Sequence, residues 1–351
     1  MQSIIVLLLA ATPALALDVL PPHLRGGSVG AAFSPPAPSS EATAKFVTVP
    51  LDHNDPEGPT WRLKFFVDDS AFAPGGALLV EMPSEGATTG CYAGTLAKEL
   101  KAAAICSQHR YFGDSVPGGD SSTAALSKYM SVEQNLADIA SLIAHARATL
   151  FPAAGATVVQ GGSYAGASSA WMRQAYPRLV DAAIAQSPPI TAKLGFPEYD
   201  TSNLVALSSP DSRCARTQAR VASALTSLLD EQPHELMELF GAPFYATAAQ
   251  GLTDFMYALG DSAAAAVQYG RKELLCTALK PIYAYASAAL AAPAGAAERG
   301  RGADERWLLA SVFANYTADA WGSSYFTECF YNSTCMRDAV RGPSAEAARS
   351  W

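Results

Sequence analysis

A serine set among small residues, Gly161-Gly162-Ser163-Tyr164-Ala165-Gly166, follows the apolar run Thr157-Val158-Val159-Gln160 and precedes a helix-like stretch to Tyr176. This arrangement reads as a nucleophile elbow. A serine hydroxyl is a poor nucleophile in water, and such an elbow lifts it to where a base can reach it and backbone amides can hold a developing oxyanion. Small residues are required because the helix after the serine passes close to the strand before it. Gly161 supplies one, two positions before Ser163, whereas Ala165 occupies the place two after it, so the strict G-x-S-x-G pattern is broken by one methyl group. The backbone amide of Tyr164 is the expected oxyanion donor. No histidine follows His234, whose setting Pro233-His234-Glu235-Leu236 reads as a helix start rather than a strand-end loop.

The elements that must position this serine can be read on either side of it. Lys45 to Val49 and Arg62 to Val67 are short and β-rich, with the turn Asp55-Pro56-Glu57-Gly58-Pro59 between them, and predict a hairpin. Ala77 to Met82 and Ala102 to Ser107 are buried-type strands separated by a helical stretch around Thr95 to Leu100. Ser131-Val132-Glu133-Gln134 has capping-box spacing and opens a helix whose stripe is Val132, Leu136, Ile139, Ile143 and Leu150, stopped by Phe151-Pro152. Ala182 to Gln186 predicts one more strand, closed by Pro188-Pro189. The alternation is that of an α/β sheet, with ligands expected at the carboxyl ends of its strands. From Lys193 on, the texture becomes helical, as in Arg213 to Asp230, His234 to Phe240 and Arg271 to Leu290, and Ala286 to Arg301 predicts a helix end running into a loop.

Composition sets the outer limits. The chain has 351 residues, half of them apolar, with 24 Lys and Arg against 32 Asp and Glu for a formal net charge of −8. No basic run marks a nucleic-acid binder. Residues 1–16 read as a secretory signal peptide, Ile4 to Ala11 followed by Ala14-Leu15-Ala16, and no other segment is apolar enough to span a bilayer. The six cysteines form an even set whose pairing stays open, and they are too scattered for a zinc site. Asn315 and Asn332 head N-x-T triplets and are candidate glycosylation sites. The secretory pathway, with a lysosomal, vacuolar or extracellular destination, is therefore expected.

Asp52-His53, Glu85-Gly86, Gln108-His109-Arg110-Tyr111-Phe112-Gly113-Asp114-Ser115, Ser131-Val132-Glu133-Gln134 and Gly162-Ser163-Tyr164 occur in one order. Together they resemble the serine exopeptidase family of lysosomal Pro-X carboxypeptidase and dipeptidyl peptidase II, with a fainter echo at Trp321, Thr327 and Glu328. The resemblance implies an α/β-hydrolase fold with an inserted helical cap and no metal or organic cofactor. It also implies cleavage of peptide bonds after proline or small residues near a chain end. Ser163 would be the nucleophile, Tyr164 an oxyanion donor, and Glu85 and Gly86 would border the substrate pocket. The partner is a peptide substrate, with a homodimer as the candidate assembly.

Against the family pattern, Gln108 and Asp114 each stand where it has glutamate, Phe112 replaces a tyrosine, and Phe326 takes the place of a cysteine. His109 and Arg110 read as structural, since a histidine before the elbow is out of order for this fold. The implied domains are residues 1–16 as leader, 17–44 as a flexible segment, 45–192 as hydrolase core and 193–351 as cap. In the family the triad acid and histidine follow the cap, so the last part of the hydrolase sheet is expected to be missing. That leaves the activity of this chain by itself open. A lipase or esterase, and a secreted non-catalytic binding protein, are the rival expectations.

Overall fold

The computed structural model describes residues 43–92, 94–242, 248–283, 305–323 and 325–327. The expected leader, residues 17–42, Asn332, Glu328, Cys329, Cys335 and the Ala286 to Arg301 stretch lie outside them. The chain divides into two compact units, parting between Ala192 and Lys193.

The first unit is a six-stranded sheet. In chain order its elements are β1 (Lys45–Pro50), β2 (Thr60–Asp68), β3 (Leu78–Glu81), α1 (Gly94–Glu99), β4 (Ala103–Ser107), α2 (Thr123–Tyr129), α3 (Val132–His145), β5 (Thr157–Gly162), α4 (Ser163–Ala175) and β6 (Ala182–Gln186). The strands lie in the order β1-β2-β4-β3-β5-β6. β1, β2 and β4 pair antiparallel, and β4, β3, β5 and β6 pair parallel. A central parallel strand is covered on both faces, which is why β3 and β4 are continuous apolar runs and buried almost throughout.

Pleat alternation divides their side chains between two cores. Leu78 and Val80 of β3 face a cluster with Leu63, Phe65 and Ile105, onto which α3 lays Leu136, Ile139, Leu142 and Ile143. Leu79 faces the opposite side with Phe66, Ala104, Val158 and Ala97 of α1. This is the α/β-hydrolase arrangement. The register aligns the carboxyl ends of three strands, pairing Glu81 with Gln160 and Gly162 with Gln186.

The second unit is helical: α5 (Pro197–Leu207), α6 (Ser212–Glu231), α7 (Pro233–Leu239), α8 (Ala248–Gln268), α9 (Lys272–Leu279) and α10 (Glu305–Trp321). One apolar cluster holds it together, including Leu225, Leu228, Phe240, Phe255, Phe313 and Trp321. Phe326 packs edge-on against Phe240, so the aromatic in the place of the family cysteine fills this core. Of the helical stretch expected over Arg271 to Leu290, the residues up to Tyr283 are described: α9 passes into a 3-10 turn over Lys280–Ile282, where Pro281 has no N–H to continue the α-helical bonding, and residues 284–290 lie outside the described residues. Disulfides join Cys91 to Cys106 and Cys214 to Cys276, one within each unit.

Candidate active site

β5 ends at Gly162, and α4 begins at Ser163 without a connecting loop. The turn is made by Ser163 itself, at φ 54°, a left-handed conformation that costs a non-glycine residue roughly 1–3 kcal/mol. Two glycines make the turn possible. A Cβ on Gly161 would lie 2.5 Å from the backbone of Ala165, and one on Gly166 would lie 2.7 Å from the carbonyl oxygen of Gln186 on β6. The first turn of α4 is thus wedged between β5 and β6. Ala165, read from sequence as a break in the elbow pattern, is buried at 4% exposure and fits because Gly161 has no side chain. The close approach to the neighbouring strand falls instead to Gly166, which the spacing rule did not single out.

Ser163 is solvent-exposed. No side chain caps the start of α4, so its first amides, that of Tyr164 among them, remain open toward the strand ends. Open amides at a helix start attract negative charge. The loop after β3 carries Glu85, which is exposed, and Gly86, which is half-buried. The negative charge of Glu85 is felt at the Tyr164 phenol, whose pKa burial first of all, and then that charge, push up.

His109 holds Tyr164 from below. The His109 Nδ1–H donates to the Arg110 carbonyl at 2.7 Å, so Nε2 is the acceptor for the Tyr164 hydroxyl at 2.9 Å. Burial holds the His109 pKa below the usual histidine value, which favours this neutral ring. The imidazole packs edge-on to Phe112 at 5.2 Å. With both nitrogens engaged, His109 has no lone pair to offer Ser163. His234 lies in the other unit, in the first turn of α7.

Asp52, His53, Arg110 and Gln134 of the quoted motifs converge on one network around the buried Asp138. Arg110 donates from Nε and Nη2 to the two carboxylate oxygens of Asp138 at 2.7 Å each, and both side chains are fully buried. Its Nη1 reaches the carbonyls of Leu51 and Tyr129. His53 Nε2 meets Asp138 Oδ1 at 2.7 Å, and Gln134 Nε2 donates to Asp52 at 2.7 Å. Only half of the predicted capping box forms: Ser131 accepts from the Gln134 amide, while the Gln134 side chain is drawn into this network.

The altered Gln108 and Asp114 fit one another. The Gln108 amide donates to Asp114 at 2.8 Å and Lys64 pairs with Asp114 at 2.9 Å, whereas a glutamate at 108 would set two negative charges together. Burial alone would raise the Asp114 pKa, but those two donors outweigh it and hold it low.

Glu81 escaped sequence reading, although a carboxylate closing an all-apolar strand was a visible signal. It ends β3, accepts from the Tyr92 amide at 2.9 Å and lies 3.4 Å from Gln160 Nε2, three residues before Ser163. Burial pushes its pKa up to about 7. Glu81 and the sulfurs of Cys91 and Cys106 lie within 4.8 Å of one another, but sulfurs bonded to each other supply no thiolate for a metal. Asn315 is exposed on α10, while Thr317 of its triplet is buried and bonds the Phe313 carbonyl.

A family model described as serine carboxypeptidase S28 matches residues 49–298. The chain belongs to this family. It is 34% identical over 206 residues to the lysosomal Pro-X carboxypeptidase of Homo sapiens, an alignment covering 54% of this chain and 41% of that one. The mouse protein of the same name is also 34% identical, over 50% of this chain and 38% of its own. "Probable serine protease EDA2" of Arabidopsis thaliana is 29% identical, over 65% and 48%. The chain therefore spans between a third and a half of the length of these curated relatives. The matched S28 segment includes the whole elbow and every residue of the Arg110 network.

Proposed function

We propose that this chain carries the nucleophile of a serine exopeptidase that hydrolyses peptides near a chain end, after proline or small residues, in the secretory pathway or lysosome. Ser163 attacks the scissile carbonyl, forming an acyl-enzyme and releasing the amine; water then attacks the ester and frees the acid. The Tyr164 amide, with an amide of the loop after β3, holds the oxyanion, and Glu85 and Gly86 border the substrate. The helical residues from Lys193 on act as the cap of the hydrolase core, residues 45–192, and Asn315 is glycosylated.

The observation that carries this reading is the left-handed, exposed Ser163 at an uncapped helix start, within a segment matched by the S28 family. The disulfides fit an oxidising compartment, and among the described residues no helix is long and apolar enough to cross a membrane. The test is a fluorophosphonate probe followed by peptide mass spectrometry. Label on Ser163, lost in Ser163→Ala, is expected. Folded protein left unlabelled, or labelled elsewhere, would favour a second reading, a hydrolase-like binding protein. That second reading draws on the commitment of His53, His109 and His145 to other partners.

A further inference from the structure

Among the described residues, four that are not glycine take a left-handed backbone: Lys101, Tyr111, Ser163 and Ser187. Such conformations strain a residue that carries a Cβ and cluster where function holds them. Lys101 and Tyr111 belong to turns closed by backbone hydrogen bonds, from Lys101 to the Lys98 carbonyl at 3.2 Å and from Tyr111 to that of Ser115 at 2.7 Å. The other two are serines at neighbouring strand ends. Gly162 of β5 pairs with Gln186 of β6, so Ser163 and Ser187 are the next residues on two parallel strands, which run about 4.8 Å apart. Both turn with the same hand, at φ 54° and 45°, and both are exposed. Neither hydroxyl has a hydrogen-bond partner among the described residues. Ser187 is fixed from both sides. Gln186 lies against the first turn of α4, where a Cβ on Gly166 would come within 2.7 Å of its carbonyl oxygen, and Pro188 and Pro189 have ring-locked φ. A glycine would make the same turn with less strain; what serine adds is a hydroxyl.

The described histidines of this unit, His53, His109 and His145, all have other partners, so none of them is placed to serve Ser163. An imidazole that takes the Ser163 proton accepts it at one ring nitrogen and presents an N–H from the other. A ring beside Ser163 on the β6 side directs that N–H at the Ser187 oxygen, which can accept it. We infer that Ser187 is a positioning residue, whose hydroxyl holds the general base in the orientation from which it serves Ser163. One N–H can be shared between two acceptors, so the hydroxyl works beside a carboxylate as well as alone. This assignment rests on the peptidase reading of Ser163.

Free imidazole can supply the ring. In fluorophosphonate labelling the Ser163 oxygen bonds to phosphorus, the P–F bond breaks, fluoride leaves with its electron pair, and the serine proton goes to the imidazole. Labelling of Ser163 in the full chain at pH 8, followed by peptide mass spectrometry, should accelerate with imidazole and saturate. N-methylimidazole can take the proton but has no N–H to give Ser187. It should therefore reach half of its effect only at about fivefold higher concentration, the loss of one hydrogen bond. Ser187→Ala should raise the requirement for imidazole by the same factor and leave that for N-methylimidazole unchanged, so that the two bases become equivalent. Ser187→Gly, which takes the left-handed turn without strain, should behave as Ser187→Ala does. A Ser187→Gly variant that still distinguishes the bases would overturn the assignment. So would a parent that responds equally to both bases, or labelling of Ser163 that imidazole does not accelerate. Those three results leave the nucleophile standing, whereas no label on Ser163 under any condition would overturn the peptidase reading and the role of Ser187 with it.

Discussion

Residues 109 and 110 point into two regions built on opposite terms. Arg110 enters a buried network in which each charged group has a matched partner: both carboxylate oxygens of Asp138 are taken, and the third guanidinium nitrogen rests on carbonyls. His109 supports the elbow, where the backbone is strained, the helix start is uncapped and the hydroxyl of Ser163 faces solvent. A fully paired charge in a low-dielectric interior fixes geometry and has nothing left to react with. Strain and unpaired donors do the reverse, persisting only because the surroundings over-determine them. The network is therefore the scaffold, and the elbow is where the proposed chemistry would be presented.

The sharpest way to break this comparison is at the serine. Ser163→Ala should abolish fluorophosphonate labelling with no loss of stability. Ser163→Gly should abolish it too and also raise the denaturant midpoint, because glycine relieves the left-handed strain. A fall in stability for Ser163→Gly would mean that the turn carries no strain. The network should behave oppositely. Asp138→Ala leaves the Arg110 guanidinium buried and uncompensated, at an expected cost of about 3–5 kcal/mol in urea unfolding. A change under 1 kcal/mol would show that the pair is not the scaffold.

Glu81 lies between the two extremes, and pH exposes it. Burial pushes its carboxyl up to about 7 in the folded protein from an ordinary value of 4.5, so the folded state holds the proton longer than the unfolded one. Stability from this group is full below about pH 4.5 and falls as pH rises to 7, by roughly 3 kcal/mol for a shift of this size. Glu81→Gln should thus stabilise the protein at pH 8 and change little at pH 4. His109 contributes with the opposite sign, since a depressed histidine pKa withdraws stability as pH falls through the range where the unfolded ring gains its proton. The Glu81→Gln profile should therefore rise with pH between 5 and 7; a profile that still falls would assign the titration to another group.

How much of this the sequence disclosed follows from the range of the forces involved. Strands β3, β4 and β5 and the elbow were legible because runs of buried residues and a glycine-flanked serine are local patterns. Helix α5 was not, because it leaves most of its length exposed and shows no apolar stripe. The motif residues Asp52, His53, Arg110 and Gln134 could be listed but not joined, since the residue that unites them, Asp138, sits on a helix face where a lone aspartate looks like a solvated charge. Gly166 and Glu81 were missed because both answer to a neighbouring strand or loop, contacts that exist only once the sheet has formed.

The smallest change probes the seam between the two regions. Tyr164→Phe deletes one hydroxyl and leaves the backbone amide in place. It removes the donor to His109 Nε2, a buried acceptor, and should cost about 1–2 kcal/mol. If the phenol only anchors the elbow, the rate of fluorophosphonate labelling should fall by no more than a few fold, because the proposed oxyanion donor, the backbone amide, is kept. If instead the phenol itself stabilises the developing charge, the rate should fall by a hundredfold or more, the usual penalty for losing one oxyanion donor, roughly 2.7–4 kcal/mol. The two outcomes differ by more than an order of magnitude, so a single rate comparison on folded protein decides whether His109 and Tyr164 belong to the scaffold or to the chemistry.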